Sequence, residues 1–214
     1  MIRVIDGLYK SDFQNEVDQM FRLRKRVFLE RLNWDVKIRG DFEIDEFDDL
    51  NPLYVLSVNE RTNQVVGSLR LLPTTGPNML ADVFSDLLPE GQLIRNPTIW
   101  ESSRYCVDTQ LAEQWGEHGV HRASAELLIA LCEIGMHVGL TFIVTVIDLR
   151  MERILRRLNC AGDRIGEPRR YGSVTAIAGL WETSDEMLQQ LRSNSGIVES
   201  VLHPTAYDAL RKAA

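Results

Sequence analysis

Hydrophobic and polar positions along the chain switch between two periods, and the switches mark a run of alternating strands and helices. Ile2, Val4 and Ile5 make a short first strand at residues 2–5. Over residues 12–32 the apolar positions Phe13, Val17, Met20, Phe21, Leu23, Val27 and Phe28 recur at helical spacing, with Ser11 or Asp12 as the expected N-cap. Two branched runs, residues 52–58 and 65–72, flank a polar turn at 59–64 and predict a hairpin. A turn-rich segment at 73–77 leads to a short helix expected over 79–88. Pro97 then precedes a strand at 98–107. The stripe Val120, Ala123, Leu127, Leu131, Ile134, Val138 predicts a long amphipathic helix over 119–138. Residues 141–147 read as a buried strand, and Asp148 is placed to cap a helix over 149–158. A strand at 174–181 and a helix at 182–191 complete the pattern.

This order, β-α-β-β-α-β-α-β-α-β-α, predicts a single α/β domain over residues 1–214, a three-layer α-β-α sandwich with helices on both faces of a mixed sheet. Its core is expected over about residues 1–180, with a C-terminal helix and tail over 182–214.

Composition changes this picture little. The chain has 44% hydrophobic and 26% charged residues, in the range of globular proteins and against disorder. A net charge of −7 argues against nucleic acid as a partner. The apolar runs are too short for membrane insertion, and the N-terminus has no secretory signal pattern. The three cysteines are odd in number and widely spaced, which fits reduced, buried thiols and a cytoplasmic location, with no metal-ligand spacing.

Candidate chemistry lies at three places. The 98–107 strand carries Glu101, Ser102, Ser103 and Arg104 in succession. Regular alternation puts Glu101 and Ser103 on one face and Ser102 and Arg104 on the other. An unpaired buried Glu or Arg costs about 3–5 kcal/mol, so partners are expected. Residues 41–49 hold six carboxylates in nine positions, interleaved with Phe42, Ile44 and Phe47. Two such charges 4 Å apart interact by about 4 kcal/mol at an effective dielectric near 20, so an ordered loop needs cations. Candidates are Arg70, alone among leucines in its strand, and Arg24, which shares a helix face with Phe28. Lys25 and Arg26 read as a solvated face.

Together these residues resemble the acyl-homoserine lactone synthases, the autoinducer synthases of bacterial quorum sensing, over roughly residues 1–180. The resemblance rests on Leu23-Arg24-x-x-x-Phe28, Trp34, Glu43-x-Asp45-x-x-Asp48, Gly67-Ser68-x-Arg70-Leu71-Leu72-Pro73-Thr74-Thr75-Gly76-Pro77 with Met79-Leu80, Phe84, and Glu101-Ser102-Ser103-Arg104. It implies a fold related to the N-acetyltransferases. It also implies a reaction in which S-adenosylmethionine, a substrate and not a cofactor, is acylated from an acyl carrier protein thioester and lactonised with loss of methylthioadenosine.

Under the resemblance Glu101 is the general base and acts with Arg104. Arg24, Phe28, Trp34, Asp45, Asp48, Arg70 and Arg104 form the S-adenosylmethionine site, with Asp45, Asp48 and Arg70 largely organising one another. Met79, Phe84, Ser103 and Thr145 line the acyl pocket, and a threonine at 145 goes with 3-oxo-acyl chains. Arg150, Arg153 and Arg157 lie on one helix face and form the expected docking surface for acidic carrier protein. The other enzymatic reading is an N-acyltransferase of the same fold using acyl-CoA, but its R/Q-x-x-G-x-G/A pyrophosphate loop is absent. A reading of another class is a ligand-binding member without activity.

Overall fold

The structure, a computed structural model, describes residues 1–110, 114–115, 120–157 and 159–213. Gly119 and Leu158, the expected ends of two helices, and the side chain of Val120 lie outside the described residues.

The central sheet runs in sequence order: β1 (Ile2–Asp6), β2 (Leu53–Asn59), β3 (Gln64–Pro73), β4 (Ile99–Val107), β5 (Phe142–Asp148) and β6 (Val174–Glu182). Neighbours are antiparallel except β4 and β5, which are parallel. That one parallel pair needs a crossover, supplied by the helix α3 (Arg122–Val138). Short strands at Asp163–Arg164 and Arg169–Tyr171 extend the sheet beyond β6.

On one face lie α1 (Gln14–Lys25) and α2 (Met79–Asp82); on the other lie α3, α4 (Leu149–Arg157), α5 (Asp185–Ser195) and α6 (Ala206–Ala213). The α1 face buries Val17, Phe21 and Leu23 against Tyr54, Leu56 and Cys106. The opposite face buries Leu127, Ile129 and Ile134 of α3 against Val55, Leu69 and Ile143. Each such side chain contributes about 1.5–3 kcal/mol relative to exposure. The architecture is the expected mixed sheet between helical layers. Among the described residues no helix is long and apolar enough to cross a membrane.

Two local departures bear on the site. The helix expected over 12–32 is three helical forms in series: a 3₁₀ segment (Gly7–Phe13) capped by Asp6, then α1, then a π-helical turn (Arg26–Arg31). The widened turn ends at Asn33, in the left-handed region with φ 52°, and brings the Trp34 amide back to the Phe28 carbonyl at 2.8 Å. The second departure is in the sheet. Parallel pairing of β4 with β5 stops at Ser102–Thr145, although β4 runs on to Val107 and β5 to Asp148. Beyond that point the strands diverge and leave a gap between the two faces.

Candidate functional site

A β-bulge sets the geometry of the site. Ser68 of β3 pairs with Cys106 and Arg70 with Ser103, so Leu69 faces two residues, Arg104 and Tyr105. Arg104 takes the left-handed conformation, φ 55°, to accommodate the extra residue. Regular alternation would have sent Arg104 to the face opposite Glu101. The bulge corrects that expectation: Glu101, Ser103 and Arg104 all face the α1–α2 layer, while Ser102 and Tyr105 face α3. A non-glycine residue held in this region marks strain that surrounding contacts must sustain.

Those contacts come from the acidic loop. Arg24 donates from Nε to Glu43 at 2.5 Å and, bidentately, to both Asp48 oxygens at 2.9 Å. Arg70 grips Asp45 at 2.5 and 3.1 Å, and donates from Nε to Ser103 at 3.1 Å. Arg104 donates to Glu43 at 3.0 Å and lies 2.7 Å from Asp45. Three guanidinium groups thus neutralise three buried carboxylates, and each carboxylate touches two of them. Burial alone would raise the Asp48 pKa, but Arg24 and Arg70 outweigh it and hold the carboxyl well below the usual range. Burial works against the Arg24 charge too, yet Asp48 and Glu43 raise its pKa. The loop is shaped for this. Asp45 caps a 3₁₀ turn (Glu46–Leu50) by accepting from the Asp48 amide, and its own amide donates back to the Asp48 carboxylate, a capping box that turns both carboxylates inward.

Exposure separates the arginines. The Arg24 and Arg70 side chains are 1% exposed, whereas Arg104 is 15% exposed. Arg24 therefore has its carboxylate partners within the protein. Arg104 keeps an edge toward solvent, and its Nη1 meets only the soft Met79 sulfur at 3.2 Å.

Glu101 stands beside the cluster, buried, and accepts from the Met79 amide at 2.9 Å and the Leu80 amide at 2.5 Å. Asn78 caps α2 and fixes the direction of these amides. Burial raises the Glu101 pKa; the two amides, Arg70 and Arg104 pull against it without reversing it. A carboxylate offers about four acceptor sites, so two bonds leave room for a proton or a water. Phe28 and Trp34 stack with centroids 5.3 Å apart and planes 8° off parallel, and the Arg104 guanidinium lies 5.8 Å from the Phe28 ring centre.

On the opposite face the β4–β5 gap leads into an apolar cavity that is partly open to solvent. Its near wall is Ser102, Tyr105, Thr145 and Ile147; Ile143 and Trp181 of the sheet line it further along, and α3, α4 and α5 contribute Leu128, Met151 and Met187 among others. Thr145 lies on that wall. Met79, Phe84 and Ser103 are on the other side of the sheet: Met79 and Ser103 against the arginines, Phe84 edge-on to Tyr171 at 5.1 Å. Arg150, Arg153 and Arg157 are exposed on α4, while Arg156 of the same helix pairs with buried Glu152 at 3.0 Å.

Sequence reasoning assigned no individual role to Glu43, which bridges Arg24 and Arg104, or to Tyr54, whose hydroxyl donates to Asp48 at 3.1 Å. Alternation of acidic and apolar residues in the loop was the available signal for Glu43. Tyr54 reads as an ordinary core residue of a strand. Ser102 belonged to the polar run of its strand but was given no role of its own, and the α5 residues of the cavity carried no signal.

The model of the autoinducer synthase family matches residues 9–191. A probable acyl-homoserine-lactone synthase of Sinorhizobium fredii is 45% identical over 170 residues, 79% of this chain and 81% of that protein. The solved structure of BjaI, a CoA-dependent acyl-homoserine lactone synthase with SAM and isopentyl-CoA, superposes with a TM-score of 0.83 at 25% identity, covering 100% of this chain and 98% of that one. A putative N-acetyltransferase from Lactobacillus plantarum shares the fold alone, with a TM-score of 0.54 at 17% identity over 86% of this chain and 99% of that one.

Proposed function

Since this chain belongs to the autoinducer synthase family and is an acyl-homoserine-lactone synthase, an acyltransferase, we propose how its residues divide the reaction. The observation that carries the reading is the bulge at Arg104. It sets a buried carboxylate and a partly open guanidinium on one face, beside a gap that leads to an apolar cavity on the other.

The nucleophile is the α-amine of S-adenosylmethionine. An α-amine has a reference pKa of about 7.7–8, so it must lose a proton before it attacks a thioester. Glu101 takes that proton, directly or through a water, and its burial makes it a stronger base than an ordinary glutamate; the amine then adds to the thioester carbonyl, the C–S bond breaks, and the donor leaves as its free thiol, taking up the proton. The thioester carbonyl lies at the β4–β5 gap and the acyl chain extends into the cavity, past Ser102 and Thr145. In the second step the substrate carboxylate attacks the carbon bearing the sulfonium. The leaving group, methylthioadenosine, is a neutral thioether, so positioning dominates. Arg104 holds that carboxylate by exchanging its contact with Met79 for a charge-assisted bond. Glu43 and Asp45 hold Arg104 directly in its strained position, and Arg24, Arg70 and Asp48 act behind them. Phe28 and Trp34 offer an aromatic face to the adenine or the sulfonium.

The acyl donor is an acyl carrier protein thioester, supported by the exposed arginines of α4 beside the cavity. Acyl-CoA is the second reading, favoured by the full-length likeness to a CoA-dependent synthase. Incubating the protein with S-adenosylmethionine and either thioester tests both parts. Methylthioadenosine and an acyl lactone are expected, faster from the carrier protein; faster turnover of acyl-CoA selects the second donor, and no methylthioadenosine from either refutes the scheme.

A further inference from the structure

The C-terminal segment contains no motif, yet α5 forms part of the cavity wall through Met187 and Leu191. Its position follows from three local features. Gly135 of α3 leaves room for the chain leaving β6: a Cβ there would lie 2.5 Å from Thr183 Cγ2. Ser184 caps the helix by accepting from the Met187 amide at 3.3 Å, and Gly196 ends it at φ 70°. Arg192 of α5 pairs with Glu133 of α3 at 2.7 Å. These contacts anchor α5 at both ends against α3.

The cavity has a direction. On β5 it is lined by Ile147, by Thr145, where β4 and β5 part, and by Ile143, which pairs with Trp181 at the end of β6 that leads into α5. Two strand residues cover roughly 6–7 Å, a distance of several methylenes. Thr145 therefore stands near the carbonyl end of a chain in this cavity, and α5 stands at the methyl end.

The geometry points to Met187 and Leu191 as the residues that set acyl chain length. They close the far end of the cavity, so the volume left beyond Ile143 decides how many methylenes fit. Met is unbranched with several rotatable bonds and adapts its shape, whereas Leu191, buried against the core, is the firmer stop. Chain length and the substituent at C3 are then selected by different elements. Met187 and Leu191 lie at the very end of the 9–191 match to the family, and α5 itself continues beyond it. This inference rests on reading the cavity as the acyl-chain site.

The test competes a short and a long straight-chain acyl carrier protein thioester in one vessel with S-adenosylmethionine. The readout is the ratio of the two lactones. One methylene of pocket space discriminates by about tenfold or more. Met187→Ala and Leu191→Ala are each expected to move the ratio about tenfold toward the long chain, and Met187→Trp to move it the other way. Ile147→Trp, at the near wall, is expected to suppress both lactones. Should Leu191→Ala fail to fold, the two variants of half-buried Met187 carry the test. Unmoved ratios in the α5 variants, with Ile147→Trp still blocking, overturn the role of α5 alone. Unmoved ratios with Ile147→Trp fully active overturn the cavity as the acyl site as well.

Discussion

Asp48→Asn probes the charge cluster with almost no change of shape. Asp48 accepts from Arg24 at 2.9 Å twice and from Tyr54 at 3.1 Å, and lies 3.0 Å from Arg70. The substitution leaves three guanidinium groups facing two carboxylates in a site from which water is excluded. Breaking a buried ion pair by removing one partner costs about 3–5 kcal/mol. For a domain of this size each kcal/mol moves Tm by about 2–4 °C, so a fall of roughly 6–20 °C is expected at neutral pH. Asp49→Asn is the control. Its carboxylate is 65% exposed and 3.8 Å from Arg39, and its effect should stay within about 0.5 kcal/mol. The pH dependence has a definite sign. Asp48 has a folded-state pKa lowered below its unfolded value, so its contribution is complete above the unfolded value of about 3.9. It is lost as pH falls through the lower folded one. The gap between wild type and Asp48→Asn should thus be the same at pH 7 and pH 5 and narrow only below about pH 4. Urea unfolding at each pH measures it. A loss under about 1 kcal/mol, or a gap that already closes between pH 7 and 5, would refute the claim that these charges are balanced pair by pair.

Glu101→Gln should cost about 10²–10⁴-fold in rate while the melting profile stays normal; activity within a few-fold of wild type removes Glu101 as the base. Because the Glu101 pKa is raised, the acid limb of the wild-type pH–rate profile should lie above an ordinary glutamate's range, about 4.3, with activity lost as pH falls through it. Reversing the charges of Arg150, Arg153 and Arg157 together should raise KM for carrier-protein donors but not for acyl-CoA, and added salt should act similarly on the wild type, since charges more than about 10 Å apart are screened at 0.1 M. An unchanged KM clears that surface of a docking role. Thr145→Val should lower the preference for 3-oxo over unsubstituted chains by about 2- to 10-fold, the worth of one hydrogen bond; a static ratio in a two-donor competition makes Thr145 a plain core residue.

Much of the fold was legible because periodicity reports burial. The hairpin expected over 52–58 and 65–72 is found at Leu53–Asn59 and Gln64–Pro73, and the strand expected over 98–107 at Ile99–Val107. Helix ends were less legible. The expected N-cap at Ser11 or Asp12 falls inside a 3₁₀ segment, and the helix expected over 79–88 is one turn of α2 followed by a 3₁₀ turn at Ser85–Leu87. The last helix starts later than expected, at Asp185, because β6 continues to Glu182 and Ser184 supplies the cap. In the site, the need of the acidic loop for cations was visible as a sum of charges. The resemblance already grouped Arg70 with Asp45 and Asp48; the partners of Arg24 and Arg104 were not visible, since Arg24 and Glu43 lie 19 residues apart and Arg104 and Glu43 lie 61 apart. The bulge was invisible for another reason. Arg104 occupies a conformation that favours glycine, and only the tertiary contacts of its guanidinium reveal why an arginine is there.

The early end of the β4–β5 ladder has a mechanical meaning as well. Four register pairs, Ile99–Phe142 to Ser102–Thr145, hold together two slabs of the protein. One slab, β1 to β4, carries Arg70, Glu101 and Arg104; the other, β5 and β6, carries Thr145 and the strand that leads into α5. Among the junctions between β1 and β6 this is the one with the fewest register pairs. Under the proposed division of the reaction, a substrate pair with its charged head in one slab and its aliphatic tail in the other would bridge that seam.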